Sequence, residues 1–182
     1  MNDLKNRTLF LTALIGLAVL ARLLPHPPNF SPLGALALFA GASFADKRLA
    51  LLIPLLAMLL SDWFLGLHAT LPAVYACLAF SVLLGRWAGN GLKISRLVPA
   101  ALLGSIVFFI GTNLAVWQVY HEPTWQGLVT TFTLAIPFFQ NTLAGDLVFG
   151  SILFGALGLA QSRFPGLKPA SAPTAELQTL AA

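Results

Sequence analysis

The sequence is poor in charge. Ten basic and six acidic residues make up 9% of 182 positions, against roughly 25% in an average soluble domain, so the polar surface that a water-soluble globule needs is missing. Cysteine is nearly absent too. Cys77 stands alone, which excludes an intrachain disulfide and a multi-cysteine metal centre. No phosphate-binding G-x-x-x-x-G-K-[ST], no H-E-x-x-H and no G-x-S-x-G occurs, and His121-Glu122 runs into Pro123 and cannot continue a zinc-binding helix. The common ATPase, zinc-protease and serine-hydrolase signatures are therefore missing, and no bound nucleotide is expected. The formal charge of +4 is scattered between apolar runs, a pattern that favours topology over a nucleic-acid partner.

What the chain does have is apolar length. It is 58% hydrophobic with a mean hydropathy of +0.84, and uncharged or nearly uncharged runs lie at 8–24, 31–45, 49–67, 71–85, 97–120 and 127–160. Six runs predict an all-α bundle of six transmembrane helices in the lipid bilayer. The last run is too long for one span at 1.5 Å per residue, and a break near Pro137 is expected, with 127–136 as a short outer segment. Lys5 and Arg7 before the first run imitate a signal peptide, but no small-residue cleavage site follows, so the run is read as the first helix. With six spans and both termini cytoplasmic, nine of the ten Lys and Arg residues fall inside, as basic residues prefer. Arg22 is the exception, at the outer end of the first helix. Residues 1–164 are expected to form the membrane domain, and the proline-containing stretch 165–182 a disordered cytoplasmic tail.

That topology collects the polar residues on the outer side. All three histidines, His26, His68 and His121, lie in outer connections. The first of these, Pro25 to Pro32, carries four prolines and is expected to be a stiff loop, either a rigid link or a lid. Within the spans, Asp62 lies near the outer end of the third helix, and Asn113, Trp117 and Tyr120 share one face of the fifth. Asn141 and Asp146 follow in the sixth. An ionisable group inside a span is costly and faces a cavity or a partner, so Asp62 and Asp146 are candidates for function. Each has a structural alternative as well: Asp62 paired with Arg22, and Asp146, in its protonated form, capping or hydrogen-bonding a neighbouring helix.

Cys77 falls six residues into the fourth span, about 9 Å below its outer end, with Tyr75 nearby. A lone cysteine in an apolar helix is read either as a small hydrophobe or as a soft ligand facing an outward cavity. Ala37, Gly41 and Ala45 recur every fourth residue on the second helix, and Gly111 with Ala115 repeats the spacing on the fifth, which permits close helix contact within the chain or with another protein.

Three stretches carry a resemblance: Arg22-Leu23-Leu24-Pro25-His26-Pro27-Pro28-Asn29-Phe30-Ser31-Pro32, the stretch from Pro54 ending in Ser61-Asp62-Trp63-Phe64-Leu65-Gly66, and Ile136-Pro137-Phe138-Phe139-Gln140-Asn141-Thr142 with Gly145-Asp146. Together they resemble the substrate-binding S components of energy-coupling-factor vitamin transporters, and within these the solitary cobalamin-transporting group. The resemblance implies a six-helix bundle in the bacterial cytoplasmic membrane and cobalamin as the transported ligand, with Cys77 reaching the cobalt. It also implies thiolate-assisted removal of an axial ligand as a conceivable chemistry. Ala13, Gly16, Ala18 and Ala21 depart from the small-residue spacing by which S components dock on a shared ATPase module, which leaves either a solitary protein or another docking surface.

The sequence thus reads as a vitamin-uptake protein that binds cobalamin in an outward cavity. His26, Asn29, Asp62, Tyr75, Asn113, Trp117, Asn141 and Asp146 are the candidate lining residues and Cys77 the metal contact. The competing readings are a similar transporter for another vitamin or a modified base, a membrane assembly subunit docking through Ala37, Gly41 and Ala45, and an intramembrane enzyme using Asp62 or Asp146 as acid or base.

Overall fold

The structure, a computed structural model, describes residues 2–89 and 93–169. They form six α-helices, with no strand among the described residues: α1 (Asn2–Arg22), α2 (Leu33–Ser43), α3 (Lys47–Leu65), α4 (Leu71–Ala88), α5 (Ile94–Tyr120) and α6 (Trp125–Arg163). All but α2 are long and apolar enough to cross a membrane. Large apolar side chains such as Leu17, Leu60, Leu83, Ile106 and Ile152 are exposed on their outer faces, as expected where the surrounding solvent is lipid. The chain is a multi-pass membrane protein.

The six runs are six helices, but they are not six equal spans. At 11 residues α2 is about 16 Å long, half the roughly 30 Å of a hydrocarbon core. The flanking residues that lengthen its run in the sequence, at 31–32 and 44–45, lie outside the helix. One further expectation changes. α6 runs unbroken through Pro137 for 39 residues, so no separate outer segment exists. Of the stretch expected to be a tail, Pro165–Leu167 form a 3-10 turn whose Leu167 is buried, and 170–182 lie outside the described residues.

α2 is the centre of the bundle. Its sequence, Leu-Gly-Ala-Leu-Ala-Leu-Phe-Ala-Gly-Ala-Ser, is rich in helix-forming Ala and Leu and apolar on every side, the pattern of a helix buried all round. Nine of its residues are buried, and it packs against each of the other five helices. Its closest neighbour is α4. There a Cβ on Gly41 would overlap the Val82 carbonyl and one on Gly85 the Leu38 carbonyl, so the two backbones touch where only glycine fits. The small-residue face of α2 is thus consumed inside the chain, which removes the basis for an assembly subunit that docks through Gly41. Phe39, fully buried, packs edge-on against Phe154 of α6 at 5.2 Å.

A short buried helix leaves its end groups far from water, and each end finds a charged partner on a neighbour. At the C-terminus, Arg7 Nη2 donates to the Ser43 carbonyl at 2.8 Å and Arg86 Nη1 to the Phe44 carbonyl at 3.4 Å. Arg7 Nη1 also donates to the Leu167 carbonyl, which anchors the turn after α6 to α1. We call this the basic end of the bundle. At the N-terminus, Pro32 has no capping side chain, and the amide of Ala35 donates instead to Asp146 Oδ1 of α6 at 3.0 Å.

The shortness of α2 makes room at the opposite end, where His26, His68 and His121 lie. Arg7 touches Ser43, so those residues share a level. From there α1 climbs about 22 Å to Arg22, whereas α2 reaches back only about 15 Å to Leu33. The recess over the start of α2 is where the polar residues gather.

Candidate functional site

Over the N-terminus of α2 lies a cavity of about 280 Å³ walled by α1, α4, α5, α6 and two connections. Its polar groups come from distant parts of the chain: Arg22 of α1, Asn29 before α2, His68 and Thr70 before α4, Thr112 and Asn113 of α5, and Thr142 of α6. On α5 the spacing Phe108, Thr112, Val116 and Phe109, Asn113 puts one helical face on the cavity. Leu33, Val74 and Phe138 supply apolar wall.

Hydrogen bonds leave these groups usable. Thr112, Asn113 and Thr142 each donate to the carbonyl four residues back on their own helix, at 2.7, 2.7 and 3.1 Å. That pins the side chains and turns hydroxyl lone pairs and the Asn113 amide oxygen toward the cavity as acceptors. His68 Nδ1 lies 2.8 Å from Thr70 Oγ1, fixing its ring at the cavity edge. The wall thus offers acceptors from α5 and α6 and donors from Arg22, Asn29 and the His68 ring. Asn29 adopts φ = 62°, a left-handed conformation that asparagine tolerates better than most residues, and so turns the connection down onto α2.

Behind the cavity wall, Arg22 is held in a cluster joining three helices. Its Nη2 lies 2.6 Å from Asp62 Oδ1, its Nη1 donates to Ser61 Oγ, and Tyr75 donates to Asp62 Oδ2 at 2.6 Å. Asp62 is only 2% exposed, yet both of its oxygens are engaged and its charge is matched by the guanidinium. A second void of about 460 Å³ lies beside Arg22 under Pro25 and His26.

Asp146 sits below the cavity, 5% exposed. Besides the Ala35 amide, Ser105 of α5 donates to its Oδ2 at 2.6 Å, and a Cβ on Gly34 would overlap its carboxylate. The carboxylate therefore ties α6 to α2 and α5, and its partners are a helix N-terminus and a hydroxyl rather than a cation.

Residues 2–170 match a family described as of unknown function, DUF6580. The chain belongs to the DUF6580 family. No curated protein and no solved structure matches it.

The sequence candidates of this DUF6580 protein separate into groups. Asn29 and Asn113 line the cavity itself, with Asp62 and Tyr75 behind its Arg22 wall and Asp146 in the next void below. His26 lines the neighbouring void, its ring folded onto the carbonyls of Pro27 and Arg22. Two others serve their own surroundings. Trp117 Nε1 donates to the Glu122 carbonyl at 3.0 Å, closing the α5–α6 connection, and Asn141 Nδ2 donates to the Pro28 carbonyl at 2.9 Å, holding the proline-rich connection against α6. That connection is a pinned cover more than a swinging lid. Cys77 is buried and packed over Gly111, with Sγ 3.7 Å from the Val107 carbonyl. It faces α5 and does not line the cavity. Among the described residues no group of three His, Cys, Asp or Glu side chains could hold a metal.

Sequence reasoning set His68 in an outer connection without assigning it to the cavity, and named none of Thr70, Thr112, Thr142 and Ser105 as a site residue. Thr112 stands beside Asn113, and Ser105 lies about two turns before them. That clustering of hydroxyl and amide groups on one apolar helix was the available signal.

Proposed function

We propose that this DUF6580 protein is an uptake protein of the bacterial cytoplasmic membrane that receives a small, vitamin-like solute in the cavity above α2. The observation carrying this reading is the convergence of polar side chains from five separate segments on one recess of an otherwise apolar bundle, the usual form of a small-molecule site. The gathering of Arg7 and Arg86 at the opposite end supports placing that end in the cytoplasm and the cavity on the outer side.

Size and chemistry narrow the solute. The cavity is about 280 Å³, at the lower edge of the roughly 300–1,000 Å³ typical of ligand pockets. In this conformation it suits a compact ring system with both donors and acceptors, flanked by Phe108, Phe109 and Phe138. Cobalamin is the larger-cargo form of the same proposal. For Cys77 to meet a cobalt, α4 and α5 must part where its Sγ now packs on Gly111, and the energy comes from a partner ATPase module or from a solitary mechanism.

The test is growth of a vitamin-uptake-deficient strain on a panel of limiting vitamins, cobalamin included, with and without this protein. Rescue by one vitamin, lost in Asn113→Ala, supports the proposal; no rescue by any member of the panel overturns it. A corrinoid absorption spectrum on the purified protein that changes in Cys77→Ser separates cobalamin from the smaller solutes.

A further inference from the structure

Three voids meet at the Asp146 carboxylate. One, of about 40 Å³, rises past Ser31, Gly34 and Thr142, and it shares Asn29, Leu33, Phe108 and Thr142 with the cavity above. The second, about 10 Å³, lies between α2, α4 and α5 beside Ser81 and Gly104. The third is a groove of about 410 Å³ between α5 and α6 that runs along Leu97, Ala101 and Gly150 to Ile94, at the start of α5. Asp146 is therefore in the wall both of the void that leads to the outer recess and of the apolar groove, open on the bundle surface, that leads to the inner end.

We propose that Asp146 is a proton-binding gate between the two sides. Ionised, the carboxylate accepts from the Ala35 amide and the Ser105 hydroxyl and is drawn to the positive end of α2, so α2, α5 and α6 are clamped and the partition is closed. Taking one proton from the outer cavity cancels the charge and turns one oxygen from acceptor into donor, while the α2 amide it faces can only donate. The clamp slackens, α2 and α6 part at Gly34, and the proton can leave toward the inner groove, restoring the carboxylate. The reaction is a single protonation and its reverse.

Among the described residues, no charged side chain other than Asp146 lines these voids. The groups facing Asp146 are Gly34, Ala35 and Leu38 from α2, Ser81 from α4, and Ala101 and Ser105 from α5; Thr142, Leu147 and Gly150 flank it on α6. None titrates between pH 4 and pH 9. The ionisable groups at the outer cavity, Arg22 and His68, line that cavity and not the voids at Asp146.

The inference reaches beyond solute uptake and is tested without a solute. In full-length protein reconstituted in vesicles, on a Cys77→Ala background, a membrane-impermeant thiol reagent is added on the side of the histidine-bearing connections. Thr142→Cys, above the gate, is labelled at every pH. Rates are taken relative to Thr142→Cys at the same pH, which carries the pH dependence of the thiol itself. On that scale Ala101→Cys, below the gate, is labelled at least tenfold faster at acid than at alkaline pH, and adding Asp146→Asn makes labelling fast at both. Ser105→Ala is the second variant should Asp146→Asn fail to fold: it removes one clamp contact but keeps the proton site, so it preserves a pH dependence with a displaced midpoint. A relative rate for Ala101→Cys that does not depend on pH with Asp146 present, or a dependence that persists in Asp146→Asn or is unmoved by Ser105→Ala, overturns the proposal. Neither result bears on growth rescue, so the two readings fail separately.

Discussion

Two aspartates are buried in this bundle to nearly the same degree, and their surroundings are opposite. Asp62 has a guanidinium on one oxygen and a phenol on the other, so a full negative charge is met by a full positive one. Asp146 has an amide and a hydroxyl, so its charge is met only by dipoles. A charge matched by a charge is locked, because removing either partner leaves the other charge without its counter-ion in a largely buried setting, Asp62 at 2% and Arg22 at 14% side-chain exposure. A charge matched by dipoles is held more loosely, since neutralising it strands no opposite charge. The first arrangement suits a joint between α1, α3 and α4; the second suits a group that changes state.

If this contrast is right, the largest loss of stability belongs to the locked aspartate. Asp62→Ala leaves Arg22 uncompensated and is expected to destabilise the bundle by about 3–5 kcal/mol, read as a fall in the thermal midpoint of the detergent-solubilised protein. Arg22→Ala together with Asp62→Ala should cost less than the two single changes summed, because the pair leaves together. Next comes Gly34→Ala. Its methyl overlaps the Asp146 carboxylate and is expected to cost about 1–3 kcal/mol, with the carboxylate pushed from the Ala35 amide. Tyr75→Phe removes one hydrogen bond to a charged oxygen and should cost about 1.5–3 kcal/mol, nearer the lower figure because Arg22 remains. The smallest effect on stability is expected for Asp146→Asn, about 1 kcal/mol, since the amide oxygen still accepts one of the two bonds. A drop as large as that of Asp62→Ala would erase the distinction between the two sites.

Much of this arrangement is legible in the chain. The scarcity of charge, the six apolar runs and the clustering of Lys and Arg predict an all-helical membrane bundle with a basic end, and Arg22 stands out as the one basic residue away from it, beside an aspartate that needs a partner. The alternative reading of Asp146 as a cap for a neighbouring helix also matches its bond to Ala35. What is not legible has a common physical cause. In a soluble helix the polar face tells which side is buried, but here lipid and protein interior are both apolar, so periodicity does not say which way a side chain such as Cys77 or Trp117 points. Nor does it separate a short helix buried by its neighbours from a span, and α2 with its flanks reads as one more span. Pro137 reads as a break, yet α6 carries it within an unbroken helix, as helices packed among membrane neighbours can. The cavity threonines are silent in sequence because a hydroxyl bonded to its own helix is common in any apolar segment.

The claim that Asp146 changes its protonation can be read directly by infrared difference spectroscopy of the reconstituted protein between alkaline and acid pH, using the carbonyl stretch of a protonated carboxyl group. One component of that band is expected in the unaltered protein, lost in Asp146→Asn and retained in Asp62→Asn. A band that survives in Asp146→Asn and disappears in Asp62→Asn would contradict it.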